Sequence, residues 1–150
     1  MVLGVRCSNR DFRYAVVDGR KTAPTVVRLE TLLLPQGFAS SQALHWLFQE
    51  VTDLLGGHTI GKIVIKRFEG QSRGKPFEER VGLEAAVMLA AGAKGMKGVF
   101  KKGKSTLAKD LGQKGRARYL TNVDTSVLPQ FVAFTEKQQE AVLAVWSELP

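Results

Sequence analysis

Three β-rich runs precede the first helical pattern of this chain, and that order limits its fold more than any other feature. The apolar run Val2–Cys7 and the alternating run at residues 12–18 flank a polar turn, which predicts a hairpin. A third β-rich run covers residues 24–34 and ends at Pro35. Consecutive strands of this kind pair as a meander, so the chain opens with an antiparallel part of a sheet.

Helical and strand patterns alternate in the rest of the chain. The predicted elements are a helix at 40–56 capped by Ser40 or Ser41, a strand at 60–66, a helix at 76–91, a strand at 98–100, a short helix at 105–111 and a helix capped by Thr135. The helix at 76–91 is apolar on nearly all sides after Val81, so we expect it to be deeply packed. The order predicts an α/β fold with a mixed sheet, a three-strand meander followed by βαβα, and helices on both faces.

Length and composition favour one folded domain over residues 1–150. No apolar run reaches the length of a membrane span, and the first residues lack the features of a signal peptide. One cysteine forms no internal disulfide, which fits a reducing cytoplasm. With Cys7, His45 and His58 at no ligand spacing, we predict no metal site and no cofactor.

One segment accounts for the whole net charge of +8. Between residues 94 and 118 only Asp110 opposes nine bases, and the remaining residues hold 13 charges of each sign. The nine bases are Lys94, Lys97, Lys101, Lys102, Lys104, Lys109, Lys114, Arg116 and Arg118. A localised basic patch on a neutral body indicates a surface for a polyanion, of which nucleic acid is the commonest.

Other interpretations of the basic segment remain open. Its aromatic residues are few, Phe100 within it and Tyr119 directly after it, so contact with phosphates is favoured over stacking on bases. The same residues could form a solvated basic face without a partner, or bind an acidic protein. Residues 98–105 (GVFKKGKS) also match the phosphate-loop pattern, with Lys104 and Ser105 at its last two positions. The residues before this match do not resemble a buried strand, which disfavours nucleotide binding.

Four segments together resemble a known family. They are VLGV with the later FRYAVVD, IGKIVIKRFEGQSRGKPFEERVGLEAAVMLAA, GVFKKGKSTLAKDLG and EKQQEAVLAVWSEL. These segments are similar to the RuvC-type resolvases of the ribonuclease H-like superfamily, and to small bacterial proteins of that fold with a GKIVIK-like strand. The resemblance implies a ribonuclease H-like fold.

The same resemblance implies a nuclease site that has lost its carboxylates. Members of the family hold two Mg²⁺ ions in a cluster of acidic side chains. Their first-strand Asp falls at Arg6 and the Glu that ends the fourth strand falls at Lys66. Of two acids expected on the last helix, one position is Lys137 and the other is Glu140. We therefore expect Arg6 and Lys66 side by side, with Glu140 near enough to form an ion pair.

These observations predict a pseudo-nuclease, that is, a non-catalytic ribonuclease H-like domain that binds nucleic acid through the basic segment. The resemblance favours DNA over RNA as the ligand. Two alternatives belong to other classes: a protein–protein adaptor built on the degenerate fold, and a residual metal-dependent nuclease or nucleotide-binding protein. The sequence does not determine the oligomeric state.

Overall fold

The computed structural model describes residues 1–70 and 73–150. Its strands and helices are β1 (Val2–Cys7), β2 (Asp11–Arg20), β3 (Ala23–Leu33), α1 (Ser40–Gly57), β4 (Lys62–Lys66), α2 (Lys75–Ala93), β5 (Val99–Lys102), α3 (Lys104–Asp110) and α4 (Glu136–Trp146). Two short 3-10 turns, Leu120–Asn122 and Pro129–Ala133, lie between α3 and α4. The order of strands and helices is the predicted one.

The five strands form one mixed sheet in the order β3-β2-β1-β4-β5. Strands β1, β2 and β3 pair antiparallel as a meander, and β1, β4 and β5 pair parallel. The central strand β1 is apolar in almost every position, because both of its faces are covered. The predicted α/β class, a mixed sheet with a three-strand meander followed by βαβα, is confirmed.

Helices cover both faces of the sheet, as predicted. On one face α1 and α2 contribute Leu47, Val51, Leu83 and Val87 to a core that also contains Leu3 and Phe12. On the other face the buried residues come from α3, α4 and the segment between them, and include Leu107, Phe131, Val142 and Trp146. The chain therefore has two cores separated by the sheet.

Helix α4 runs antiparallel to β1 and lies directly on it. Its first turn begins at Thr135, whose hydroxyl accepts a hydrogen bond from the Gln138 N–H while the Gln138 side chain accepts one from the Thr135 N–H. This is the predicted cap, extended into a capping box. The backbone of α4 approaches β1 at Gly4, where a Cβ atom would overlap the carbonyl oxygen of Ala141. Residue 140 thereby lies at the carboxyl end of β1.

Three local predictions need correction. Helix α2 is not deeply packed on all sides, because Val81, Met88 and Leu89 are exposed and only the opposite side faces the core. Helix α1 is preceded by Ala39 rather than by a serine cap, and the Gln42 side chain accepts the Ala39 N–H. Strand β5 continues through Lys102 instead of ending two residues earlier.

In the described ranges no helix combines the length and apolarity that crossing a membrane requires.

Candidate functional site

Charged side chains gather at the carboxyl ends of β1, β4 and β5. The register pairs Val5 with Ile65, and the residues that follow these two are Arg6 and Lys66. Seven cations and four carboxylates form ion pairs at this edge of the sheet. We call them the charged cluster: Arg6, Arg13, Lys66, Arg80, Lys101, Lys104 and Lys137 with Asp11, Glu69, Glu84 and Glu140.

The Glu140 side chain on α4 contacts one cation from β1 and one from α3. Its Oε2 accepts a hydrogen bond of 2.8 Å from Nε of Arg6, and its Oε1 lies 3.3 Å from Nζ of Lys104. The side chains of Glu140 and Arg6 are largely buried. Burial by itself would raise the pKa of Glu140, but the hydrogen bond from Arg6 and the charges of Lys66 and Lys104 outweigh burial and lower it. Glu140 is therefore held as an anion between β1 and α3.

Lys66 is the most deeply buried cation of the cluster, with 2% of its side chain exposed. Its Nζ lies 2.7 Å from Oε2 of Glu69 and donates a hydrogen bond to the carbonyl oxygen of Arg67. Burial lowers the pKa of Lys66, against the opposing effects of Glu69 and Glu140. The sequence predicted that Lys66 and Arg6 would share Glu140. In the structure Lys66 has its own carboxylate three residues later.

Glu84 neutralises the α2 side of the cluster and has 1% of its side chain exposed. Its carboxylate lies 2.9 Å from Nζ of Lys101 and 3.3 Å from Nε of Arg80, and it accepts the N–H of Phe68 at 3.0 Å. Sequence reasoning assigned no role in this site to Arg80 or Glu84. Their i,i+4 spacing on a helix was the available signal, because it places both side chains on one face.

The first residue of β2, next to the turn that follows β1, holds a third carboxylate. Asp11 accepts hydrogen bonds from Ser8 and Arg13. Nζ of Lys137 lies 3.8 Å from the Asp11 carboxylate and donates to the Ser8 hydroxyl at 3.2 Å. Lys137, which the resemblance placed at an acidic position of the family, thus joins α4 to this turn.

The structure brings the four positions singled out by the resemblance, Arg6, Lys66, Lys137 and Glu140, to one edge of the sheet, and three cations with one carboxylate do not form a set of Mg²⁺ ligands. The predicted contact between Arg6 and Glu140 is present, and Lys66 lies close enough to Glu140 to lower its pKa. Magnesium requires carboxylate oxygens free to coordinate it, whereas each carboxylate of the cluster is paired with a cation. Within residues 1–70 and 73–150, no group of three or more His, Cys, Asp or Glu side chains is placed to hold a metal.

Three bases of the predicted binding segment are neutralised by distant carboxylates. Lys101 contacts Glu84, and Lys104 contacts Glu140. Lys102 is buried, and its Nζ donates to Asp110 and Glu148. Burial alone would lower the pKa of Lys102, but these two hydrogen bonds raise it. Within the segment only Asp110 opposes the bases, but in the folded chain Glu84, Glu140 and Glu148 oppose them as well, and Lys102 faces the protein interior.

The other bases of the segment are placed differently. The described part of the chain provides no ion-pair partner for five exposed side chains: Lys94, Lys97, Lys109, Lys114 and Arg116. Arg118 is half-buried, and its Nε has no hydrogen-bond partner among the described residues. Lys94 and Lys97 precede β5 and lie at the amino ends of the parallel strands, opposite the charged cluster. The segment is thus divided between two ends of the sheet.

The match to the phosphate-loop pattern does not form such a loop. Strand β5 occupies Val99–Lys102, in the middle of the matched residues. The N–H of Lys104, which would face a phosphate, donates instead to Oε2 of Glu69 at 2.8 Å. This stretch is a strand followed by a short helix, which disfavours the nucleotide-binding alternative.

Solved structures similar to this chain include Holliday junction resolvases. Thermus thermophilus RuvC in complex with Holliday junction substrate has a TM-score of 0.79 and 12% identity, with 97% of this chain and 90% of that chain covered. A second Thermus thermophilus RuvC structure has a TM-score of 0.72 and 11% identity, with 97% and 91% covered. The yeast mitochondrial Holliday junction resolvase has a TM-score of 0.62 and 12% identity, with 97% and 77% covered.

These likenesses concern the fold, since sequence identity is low in each case. No protein-family model matches the sequence, and no curated protein matches it significantly. The strand order, the helices on both faces and the coverage of nearly the whole chain agree with one another. The chain therefore has the RuvC-like, ribonuclease H-like fold.

Proposed function

We propose that this chain is a non-catalytic ribonuclease H-like domain that binds nucleic acid, with DNA preferred over RNA. The observation that supports it is the position of two cations, Arg6 and Lys66, at the carboxyl ends of neighbouring strands, where the resemblance implies carboxylates. Cations at these positions repel Mg²⁺, which supports the non-catalytic part of the proposal. The similarity to resolvases, one of them in complex with Holliday junction substrate, supports DNA as the ligand.

The phosphate contacts are assigned to the unpaired bases of the basic segment. Five of its nine bases are exposed and have no ion-pair partner in the described ranges, so their charge is available to a polyanion. Lys101, Lys102 and Lys104 already have carboxylate partners, which reduces what they can contribute. Binding of this kind depends on charge and is independent of base sequence.

We expect the triple variant Lys109→Ala/Lys114→Ala/Arg116→Ala to bind DNA more weakly and with a shallower salt dependence. Each phosphate contact that is lost should reduce the log–log salt slope by about one unit. Fluorescence anisotropy with duplex, single-stranded and branched DNA and with RNA, over a salt series, measures both quantities. The matched control removes three exposed bases outside the segment that also have no ion-pair partner in the described ranges, Arg10, Arg20 and Arg73. Equal losses in both variants, or no binding by the wild type at low salt, would contradict the proposal.

We expect Mg²⁺ to cause no cleavage of branched DNA and no rise in the melting temperature of the protein. The physical reason is that each carboxylate of the charged cluster is paired with a cation and so does not present a free ligand. Gel analysis of labelled junctions with and without Mg²⁺ tests the first point, and thermal unfolding tests the second. Metal-dependent cleavage that is lost in Glu140→Ala would favour the residual nuclease instead.

A further inference from the structure

One carboxylate of the charged cluster differs from the others in where it is attached. Glu140, Glu84 and Asp11 are buried and belong to α4, α2 and β2. Glu69 follows the end of β4, outside any helix or strand, and 30% of its side chain is exposed. It nevertheless neutralises Lys66, the most deeply buried cation of the cluster. A buried ammonium needs an anion, but the anion need not come from the protein.

The groups around the Glu69 carboxylate form an anion pocket. Oε2 lies 2.7 Å from Nζ of Lys66 and accepts the N–H of Lys104 at 2.8 Å. The charge of Arg67 is close enough to contribute to lowering the pKa of Glu69. Gly103 provides the space, since a Cβ atom there would lie 2.5 Å from Oε1 of Glu69 and 2.9 Å from Nε of Arg67. A side chain at position 103 would therefore displace the Glu69 carboxylate or the Arg67 guanidinium from their present positions.

The donors of this pocket are fixed more firmly than its acceptor. Lys66 ends β4, and Lys104 begins α3 with one residue between it and the end of β5, which pairs with β4. The neighbouring Phe68 is held by its N–H bond to Glu84 and by the Arg80 guanidinium over its ring. The Glu69 side chain can consequently swing into solvent without moving β4, β5 or Phe68.

We propose that Glu69 occupies a phosphate-binding pocket, and that a backbone phosphate of the bound nucleic acid displaces its carboxylate from Lys66. The inference rests on the proposed function and names the pocket that receives its ligand. A phosphodiester has one negative charge and two free oxygens, as a carboxylate does, so the exchange keeps Lys66 neutralised. The Lys66 ammonium and the Lys104 N–H bind the phosphate, and the exposed Arg67 adds its charge.

We expect Glu69→Gln to bind a fluorescein-labelled DNA duplex about tenfold more tightly than the wild type, because the internal competitor for a charge-assisted hydrogen bond is gone. The salt slope should steepen by about one unit. The gain should disappear in the double variant Lys66→Met/Glu69→Gln. The matched control is Glu30→Gln, which removes an exposed carboxylate from the far edge strand β3. Equal binding by Glu69→Gln, Glu30→Gln and the wild type would overturn the proposal.

A second measurement separates the pocket from the proposed function and does not depend on the stability of a variant. Inorganic phosphate is titrated into ¹⁵N-labelled wild-type protein, and the amide shifts of Gly103 and Lys104 are followed. The expected result is a saturable shift of these amides, at lower phosphate concentration in Glu69→Gln. Such a shift without duplex binding would uphold the pocket and refute the nucleic-acid proposal. Duplex binding without any shift, and without a gain in Glu69→Gln, would refute the pocket alone.

Discussion

Glu140→Ala is expected to lower the free energy of unfolding by about 3–5 kcal/mol, because it leaves a buried charge without its partner. The carboxylate accepts from Nε of Arg6 at 2.8 Å, with 14% of the Arg6 side chain and 8% of the Glu140 side chain exposed. Lys104 also loses its partner, but it is half exposed and can be solvated. Urea denaturation followed by circular dichroism measures the loss.

Two further variants distinguish this effect from a general weakening of α4. Glu136→Ala removes an exposed carboxylate from the first turn of the same helix and should cost less than about 1 kcal/mol. Arg6→Met/Glu140→Leu should regain most of the loss, since no guanidinium then remains buried and unpaired. A single variant Glu140→Ala as stable as Glu136→Ala would show that the charged cluster does not hold α4 to the sheet.

The same ion pair makes stability depend on pH at the acidic end. The pKa of Glu140 in the folded chain lies below its ordinary value of 4.5, so the folded state binds fewer protons than the unfolded state. This contribution is present above pH 4.5 and is lost as the pH falls through the folded pKa. The difference in stability between the wild type and Glu140→Ala should therefore shrink below that pH. Denaturation midpoints over a pH series measure this.

Local patterns were sufficient to predict the fold. The alternation of residues 12–18, the IGKIVIK run and the helical spacing of residues 40–56 each arise from burial on one or both faces of an element. Sequence order then limited how the strands could pair. The exposure of Met88 and Leu89 could not be predicted, because an all-apolar helix does not indicate which side meets the core.

The site was harder to predict from the sequence than the fold, because the residues that form its ion pairs and hydrogen bonds are far apart along the chain. Lys102 and Glu148 are 46 residues apart, and the Lys104 N–H and Glu69 are 35 residues apart. A charge count within one segment misses such pairs, which explains why the basic segment looked unopposed. The contact of Arg6 with Glu140 was predictable only because the resemblance supplied an alignment of β1 with α4. No comparable alignment predicted the contacts of Glu69 with Lys66 and with the Lys104 N–H.

Gly4→Ala is the second substitution for which we expect a large effect. A Cβ atom at this position would overlap the carbonyl oxygen of Ala141 and Cγ2 of Val145, and would lie 3.0 Å from the Val145 N atom. Two of these three atoms belong to the backbone of α4, so a change of rotamer does not relieve the overlap. The helix must move away from β1, and we expect a loss of about 3 kcal/mol or more in the free energy of unfolding.

Thermal and urea unfolding of Gly4→Ala and two related variants tests this packing. Gly92→Ala is the matched control, since an added Cβ meets nothing within 4 Å and alanine should stabilise α2 by up to about 1 kcal/mol. Gly4→Ala/Val145→Ala should regain little, because the Ala141 carbonyl oxygen stays in place. A variant Gly4→Ala of wild-type stability would mean that α4 does not lie directly on β1. The contact of Glu140 with Arg6 depends on that packing, so the charged cluster would then lack its support.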